Sequence, residues 1–138
     1  MARDSARQAW DQTLLGTISP TASDELFNAS RLDTAQPGEI LSHGSSASCF
    51  VVVEGVSRVY ITTPTGRQKT MRYIQEAEVV GLQPLVAGSM PNWWVEAVTD
   101  VSIIRVPSDR LKPMLKQEIT LSNAVMEHLA KVSAGVFE

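Results

Sequence analysis

Between Arg31 and Val106 a turn signal interrupts the chain about every 8–12 residues, and that spacing constrains the fold more than any other feature of the sequence. Arg31 to Ala35 reads as a strand broken at Pro37-Gly38 and resumed at Ile40-Leu41, followed by a polar loop from His43 to Ala47. Cys49-Phe50-Val51-Val52-Val53 is nearly continuous in apolar, largely β-branched residues, the texture of a strand covered on both faces. Glu54-Gly55 turns the chain into Ser57 to Thr62, where Val59 and Ile61 alternate with Arg58 and Tyr60. Pro64-Thr65-Gly66 joins that strand to Gln68 to Ile74 as a hairpin. Val79-Val80, Trp93 to Val98 and Val101 to Val106 complete about eight short strands, the pattern of an all-β barrel or jelly roll.

Helices flank this centre. Ser5 to Leu15 is expected to be helical, with Ala6, Trp10 and Leu14 on one face and a stop at Gly16. Ser19-Pro20 reads as an N-cap with proline at the first helical position, opening a second helix through Asn28 that buries Leu26 and Phe27. Pro107-Ser108 caps a segment from Asp109 to Leu115, and a longer helix begins at Thr120. In it Leu121, Val125, Leu129, Val132 and Val136 recur at spacings of 4, 4, 3 and 4. A seam that long is expected to pack against its twin, making a homodimer.

Composition narrows the function. With 138 residues, 43% apolar and 20% charged, one globular domain is expected. A net charge of −3 argues against a nucleic-acid surface on this segment. No apolar run reaches the length of a membrane span, and MARDSARQAW lacks the apolar centre of a secretory signal. The lone Cys49 excludes an internal disulfide and fits a reducing, cytoplasmic setting. One cysteine cannot hold an iron–sulfur cluster, and His43 and His128 form no metal signature, so neither metal nor cofactor is expected. No nucleophile has an evident base, so the chain is not read as an enzyme. Arg67, Lys69 and Arg72 read as a solvated strand face.

The stretch Glu76 to Thr99 has the makings of a pocket. Val79-Val80 reaches Gly81, one helical turn spans Leu82 to Ala87, a loop runs from Gly88 to Asn92, and a strand returns at Trp93. The shape is that of an anion cradle, yet from Gly81 to Trp94 there is no Arg, Lys or carboxylate. Trp93 and Trp94, being adjacent on a strand, face opposite ways. Met90 reads as packing, and Trp94 as a surface or interdomain contact.

Pro37 to Leu41 (PGEIL), Val51 to Gly55 (VVVEG), Thr65-Gly66-Arg67, Glu78 to Gly81 and Val95 to Thr99 together resemble the cyclic-nucleotide-binding domain. The variety they resemble is the N-terminal sensor domain of CRP/FNR-family transcription regulators. That resemblance implies a mainly β fold with flanking helices, a double-stranded β-helix (jelly roll) followed by a C-terminal dimer helix. It also implies a division into residues 1–118, holding helices and roll, and 119–138, the start of the dimer helix. DNA would be contacted only through a following helix-turn-helix domain that this chain lacks.

Within the resemblance the site residues differ from the family pattern. The Gly-Glu pair whose carboxylate holds the ribose stands here as Gly81-Leu82, and the Arg-Ser/Thr-Ala triplet falls on Pro91-Asn92-Trp93. The positions that touch adenine fall on Val136 and Phe137. The resemblance therefore implies ligand contacts at Gly81, Leu82, Leu85, Pro91, Asn92, Trp93 and Val136. Trp93 shares its parity with the inward Val95 and Ala97, so it enters the pocket as a ligand wall or as a plug. A phosphate without a charged partner is poorly compensated for lost water. The expected function is an effector sensor for a small ligand other than a cyclic nucleotide, or one with a degenerate pocket. The alternatives are a cyclic-nucleotide site with unusual contacts and a ligand-free dimerisation scaffold.

Overall fold

The computed structural model of the protein describes residues 2–44, 48–88 and 90–134. Eight strands form two four-stranded antiparallel sheets: β1 (Arg31–Ala35), β2 (Ile40–Gly44), β3 (Cys49–Glu54), β4 (Ser57–Thr62), β5 (Gln68–Ile74), β6 (Val79–Val80), β7 (Met90–Ala97) and β8 (Val101–Val106). One sheet has the order β1-β8-β3-β6 and the other β2-β7-β4-β5. The fold is the mainly β jelly roll with flanking helices that the spacing of the turns implies.

The first sheet is covered on both sides, which accounts for the unbroken apolar run of β3. Phe50 and Val52 point between the sheets, where they meet Val59, Ile74, Trp93, Val95 and Ile103. Cys49 and Val51 point the other way, into a second core shared with Trp10, Leu26, Phe27, Leu111 and Leu121 from the helices. Those helices are α1 (Ala2–Asp11), α2 (Pro20–Ala29), α3 (Leu82–Ala87), α4 (Ser108–Gln117) and α5 (Ile119–Ala134). Burial in that second core pushes the Cys49 thiol up to about 12, which keeps it protonated and inert.

The N-terminal helix ends earlier than the periodicity predicts. It stops at Asp11, and a separate 3₁₀ turn, Leu14–Gly16, follows. The Thr13 hydroxyl causes the break: it donates to the Trp10 carbonyl (2.7 Å) and accepts from the Leu15 amide (3.2 Å). Leu15 rather than Leu14 is consequently the residue fully buried there. The second helix begins as expected, with Ser19 accepting from the Ala22 amide and Pro20 at its first position. The Trp10 indole N–H donates to Ser23 Oγ (2.9 Å), tying the two helices together.

Two segments expected as loops are strand. β2 continues through His43 to Gly44, and β7 begins at Met90, with Gly44 opposite Met90 after a register shift. A Cβ at Gly44 would lie 1.4 Å from the Met90 carbonyl oxygen, so only glycine allows the two strands to approach so closely. Among the described residues no helix is long and apolar enough to cross a membrane.

Candidate ligand-binding site

The turn from β6 into α3 fixes the site. Gly81 has φ +99°, and a Cβ there would lie 2.4 Å from the Ser48 carbonyl oxygen and 2.9 Å from Cys49 Cα. Both the backbone angle and the neighbouring strand therefore demand glycine. Gly81→Ala is expected to cost about 2–4 kcal/mol through strain and overpacking together, read as a lower urea midpoint with an unchanged slope.

Beside this turn lies a cavity of about 720 Å³. Strands β4 and β5 supply Val59, Ile61, Met71 and Ile74, β6 supplies Val79 and Val80, and β7 supplies Met90 and Trp93. Leu82 and Gln83 close it from α3, and His128 and Val132 from α5. Arg72, from β5, is the one charged side chain on the wall among the described residues. The volume lies within the range of about 300–1,000 Å³ typical of small-molecule sites. Trp93 is 5% exposed and belongs to the core between the sheets, yet this volume remains beside it. Its ring is thus core and wall at once, and it leaves the space open.

Of the residues implied by resemblance, Gly81, Leu82 and Trp93 line the cavity. Leu85 instead packs against the helix-side core, and Pro91 and Asn92 are exposed on β7, away from the wall. Val136 and Phe137 lie outside the described residues. Trp94 faces outward, half-buried between His43 (5.2 Å between centroids) and Tyr60 (6.3 Å, stacked).

The helix seam divides in an unexpected way. Leu121 and Val125 are already buried by the chain's own core, Leu129 packs against that core, and Val132 faces the cavity. Leu121 and Val125 therefore have no surface left for a twin helix, because the chain's own core buries them first. The open apolar side chains of α5 are Ile119 and Met126.

Sequence reasoning missed Arg72, Gln83 and His128 as site residues, and it read Met90 as packing. Lys69 and Arg67 are exposed as expected, but the Arg72 side chain is only 22% exposed. The signal was present: Arg72 has the parity of Ile74, the buried residue that ends its strand. Arg72 Nη1 lies 3.4 Å from Glu78 Oε1, while Glu78 Oε2 accepts from the Gln75 amide at 2.9 Å. Glu78 lines a smaller adjoining hollow of about 360 Å³, together with Arg72 and His128. Burial holds the His128 imidazolium below its ordinary pKa; the positive charges of Arg72 and Lys131 act in the same direction, and Glu78 opposes them.

That shift makes a pH prediction. On acidification below about 6.5 the unfolded chain protonates this imidazole before the folded chain does. Stability associated with His128 is therefore full above that pH and is lost as pH falls toward the lower folded value. Melting temperatures measured from neutral to mildly acid pH should fall less steeply for His128→Gln than for the unaltered protein.

Among the described residues no group of three or more His, Cys, Asp or Glu could hold a metal ion. The arrangement is one of binding: a largely apolar cavity with Arg72, Gln83 and His128 as its polar lining residues.

Comparison with known proteins places the fold in a family. The family profile "Cyclic nucleotide-binding domain" matches residues 33–118. No curated protein sequence matches the chain. Among solved structures, a Ruegeria pomeroyi protein provisionally named for cyclic nucleotide binding superposes with TM-score 0.80 at 20% identity, over 97% of this chain and 62% of that one. The sensor domain of the transcriptional regulator DNR from Pseudomonas aeruginosa gives 0.79 at 17% identity, covering 94% of this chain and 89% of that one. Thermus thermophilus catabolite activator protein gives 0.72 at 15% identity, over 86% and 56%. The chain thus spans a little under two thirds of the Ruegeria protein but most of the isolated DNR sensor domain.

Proposed function

Because this chain belongs to the cyclic nucleotide-binding domain family, we propose that it is the effector-sensing domain of a CRP/FNR-like transcription regulator. Its role is regulatory rather than catalytic. Residues 1–118 form the sensing unit and 119–138 begin the helix that carries the response onward. The ligand is a small effector with an apolar or aromatic body, not a cyclic nucleotide. One observation carries this reading: the cavity of about 720 Å³ is walled by Leu82, Met90, Trp93 and Val132, and no carboxylate lines it among the described residues.

The route from ligand to response follows from the same wall. α5 contributes His128 and Val132 to the cavity, so a ligand touching them binds one position of that helix better than another. The homodimer we propose uses the open side of α5, where Ile119 and Met126 are exposed. Met126→Asp should shift sedimentation toward a monomer while leaving the thermal melt within about 0.5 kcal/mol of the parent; an unchanged dimer would place the interface elsewhere.

A crystal structure of the protein purified from its own cells tests the function. Organic density in contact with Trp93, Met90 and Val132 is expected. A collapsed cavity with the Trp93 ring swung into it would support a ligand-free scaffold instead.

A second reading, a cyclic nucleotide bound through unusual contacts, is favoured by Arg72, a cationic residue that lines the cavity. It ranks second because Leu82 stands where the resemblance implies the ribose-binding carboxylate.

A further inference from the structure

We propose a second binding site, apart from the effector cavity, at the end of the first sheet: a phosphate-type oxyanion held between Arg31 and Arg105. The hollow concerned shares no lining residue with the effector cavity, so the proposal stands or falls separately from the function proposed above.

Strand register brings the two arginines together. Arg31 of β1 stands directly opposite Arg105 of β8, so both side chains leave the same face of the sheet as close neighbours. Like charges in that relation destabilise a sheet unless an anion lies near them. Asp33, two residues along β1, shares the face, and its carboxylate is already engaged. Its Oδ2 accepts from Arg105 Nε at 2.8 Å and its Oδ1 from the Thr34 amide at 2.9 Å. The bond from Arg105 holds the Asp33 carboxyl below its ordinary pKa; burial opposes this, while the Thr34 amide and the charges of Arg105 and Arg31 add to it. Among the described residues Arg31 makes no ion pair and no side-chain hydrogen bond. Two cations thus share one carboxylate.

Both arginines line a hollow of about 300 Å³, together with Ser48, Val106, Pro107 and Ser108. Arg105 is fixed there: Nη1 donates to Ser48 Oγ at 2.9 Å and to the Leu41 carbonyl at 3.1 Å. With Nε on Asp33, the two Nη2 donors are the ones that make no hydrogen bond among the described residues. Ser48 Oγ accepts from the guanidinium and keeps its own O–H to donate. Arg31 is exposed on the outermost strand of the sheet, and its long side chain can close over an anion. Asp109, beside Ser108, is exposed and does not line the hollow.

Charge selects the class of ligand. A phosphate monoester carries about −1.5 to −2 charge at neutral pH and offers three strong acceptor oxygens. It can therefore bond both guanidinium groups and the Ser48 hydroxyl together. A carboxylate has two oxygens and a single charge, and so leaves one of those donors unused. A nucleic-acid backbone is disfavoured by the chain's net charge of −3.

Phosphorus NMR titration of the purified chain with inorganic phosphate and with phenyl phosphate, at mildly alkaline pH, tests the site. At least one should bind with a dissociation constant of about 1–10 mM, and acetate should compete at least about tenfold more weakly. Tighter binding of phenyl phosphate would support a phosphorylated small molecule as the source, and equal binding would support free phosphate. Arg31→Gln should weaken binding by about tenfold or more, and Arg31→Lys should keep part of it. Circular dichroism checks that the variants fold; should Arg31→Gln not fold, Arg31→Met serves as the uncharged variant. Acetate competing as well as phosphate itself would overturn the phosphate class. Binding that survives the loss of Arg31 would overturn the site, as would no binding of either compound at roughly 30 mM.

Discussion

Val125→Asp is expected to unfold the chain, not merely to separate two copies of it. Val125 is 3% exposed and sits in the core formed by Trp10, Leu26, Leu111 and Leu121. A carboxylate there loses its water and gains no partner, while the methyl groups it replaces leave their contacts. Together these effects should exceed about 4 kcal/mol, against a total stability for such a domain of about 5–15 kcal/mol. Urea denaturation followed by circular dichroism would show it as a midpoint shifted far down or a protein unfolded from the start. A folded Val125→Asp monomer would mean that α5 does not pack on its own roll as described. Met126, one residue along and 66% exposed, is the contrasting position.

Trp93→Ala should lower stability and ligand binding together. The ring is nearly all buried between the sheets, so its removal should cost about 3–5 kcal/mol. It also forms a wall of the cavity, so the same change removes a flat apolar surface from any ligand. Trp93→Phe, which keeps most of the packing, should recover most of the stability and part of the binding. Loss of binding with unchanged stability would mean that the ring is not part of the core. Wall and plug, which seem exclusive when the residue is read from its strand parity, are both partly true: the ring fills the inter-sheet core and still leaves the cavity open.

What the sequence made legible was local chemistry. Pro37-Gly38, Glu54-Gly55 and Pro64 to Gly66 mark turns by their own conformational preferences, and the strands between them follow. The apolar run of β3 announced burial on both faces because no residue in it suits water. The extension of β2 to Gly44 was hidden, since it depends on pairing with Met90, a partner distant in sequence that a glycine beside a polar loop does not reveal. The seam of α5 was legible as an apolar face, but periodicity does not say what covers that face. The core that includes Trp10, Leu26 and Leu111 of the same chain buries Leu121 and Val125 first. Arg72 was overlooked for a related reason: the pocket was sought between Gly81 and Trp94, and the cation comes from a strand that ends before Gly81.

We propose that this cavity takes an apolar-bodied effector where the resemblance would place a cyclic nucleotide. The Leu82 side chain cannot accept a hydrogen bond from a ribose hydroxyl, and Pro91 and Asn92, the positions matched to the family's phosphate-binding arginine and its neighbour, are exposed and do not line the cavity. Calorimetric titration of the purified protein with cyclic AMP and cyclic GMP tests that most directly. The predicted result is a dissociation constant weaker than about 10 μM for both, less than roughly 7 kcal/mol of binding. Tighter binding of either nucleotide would mean that the cavity is a cyclic-nucleotide site with rearranged contacts.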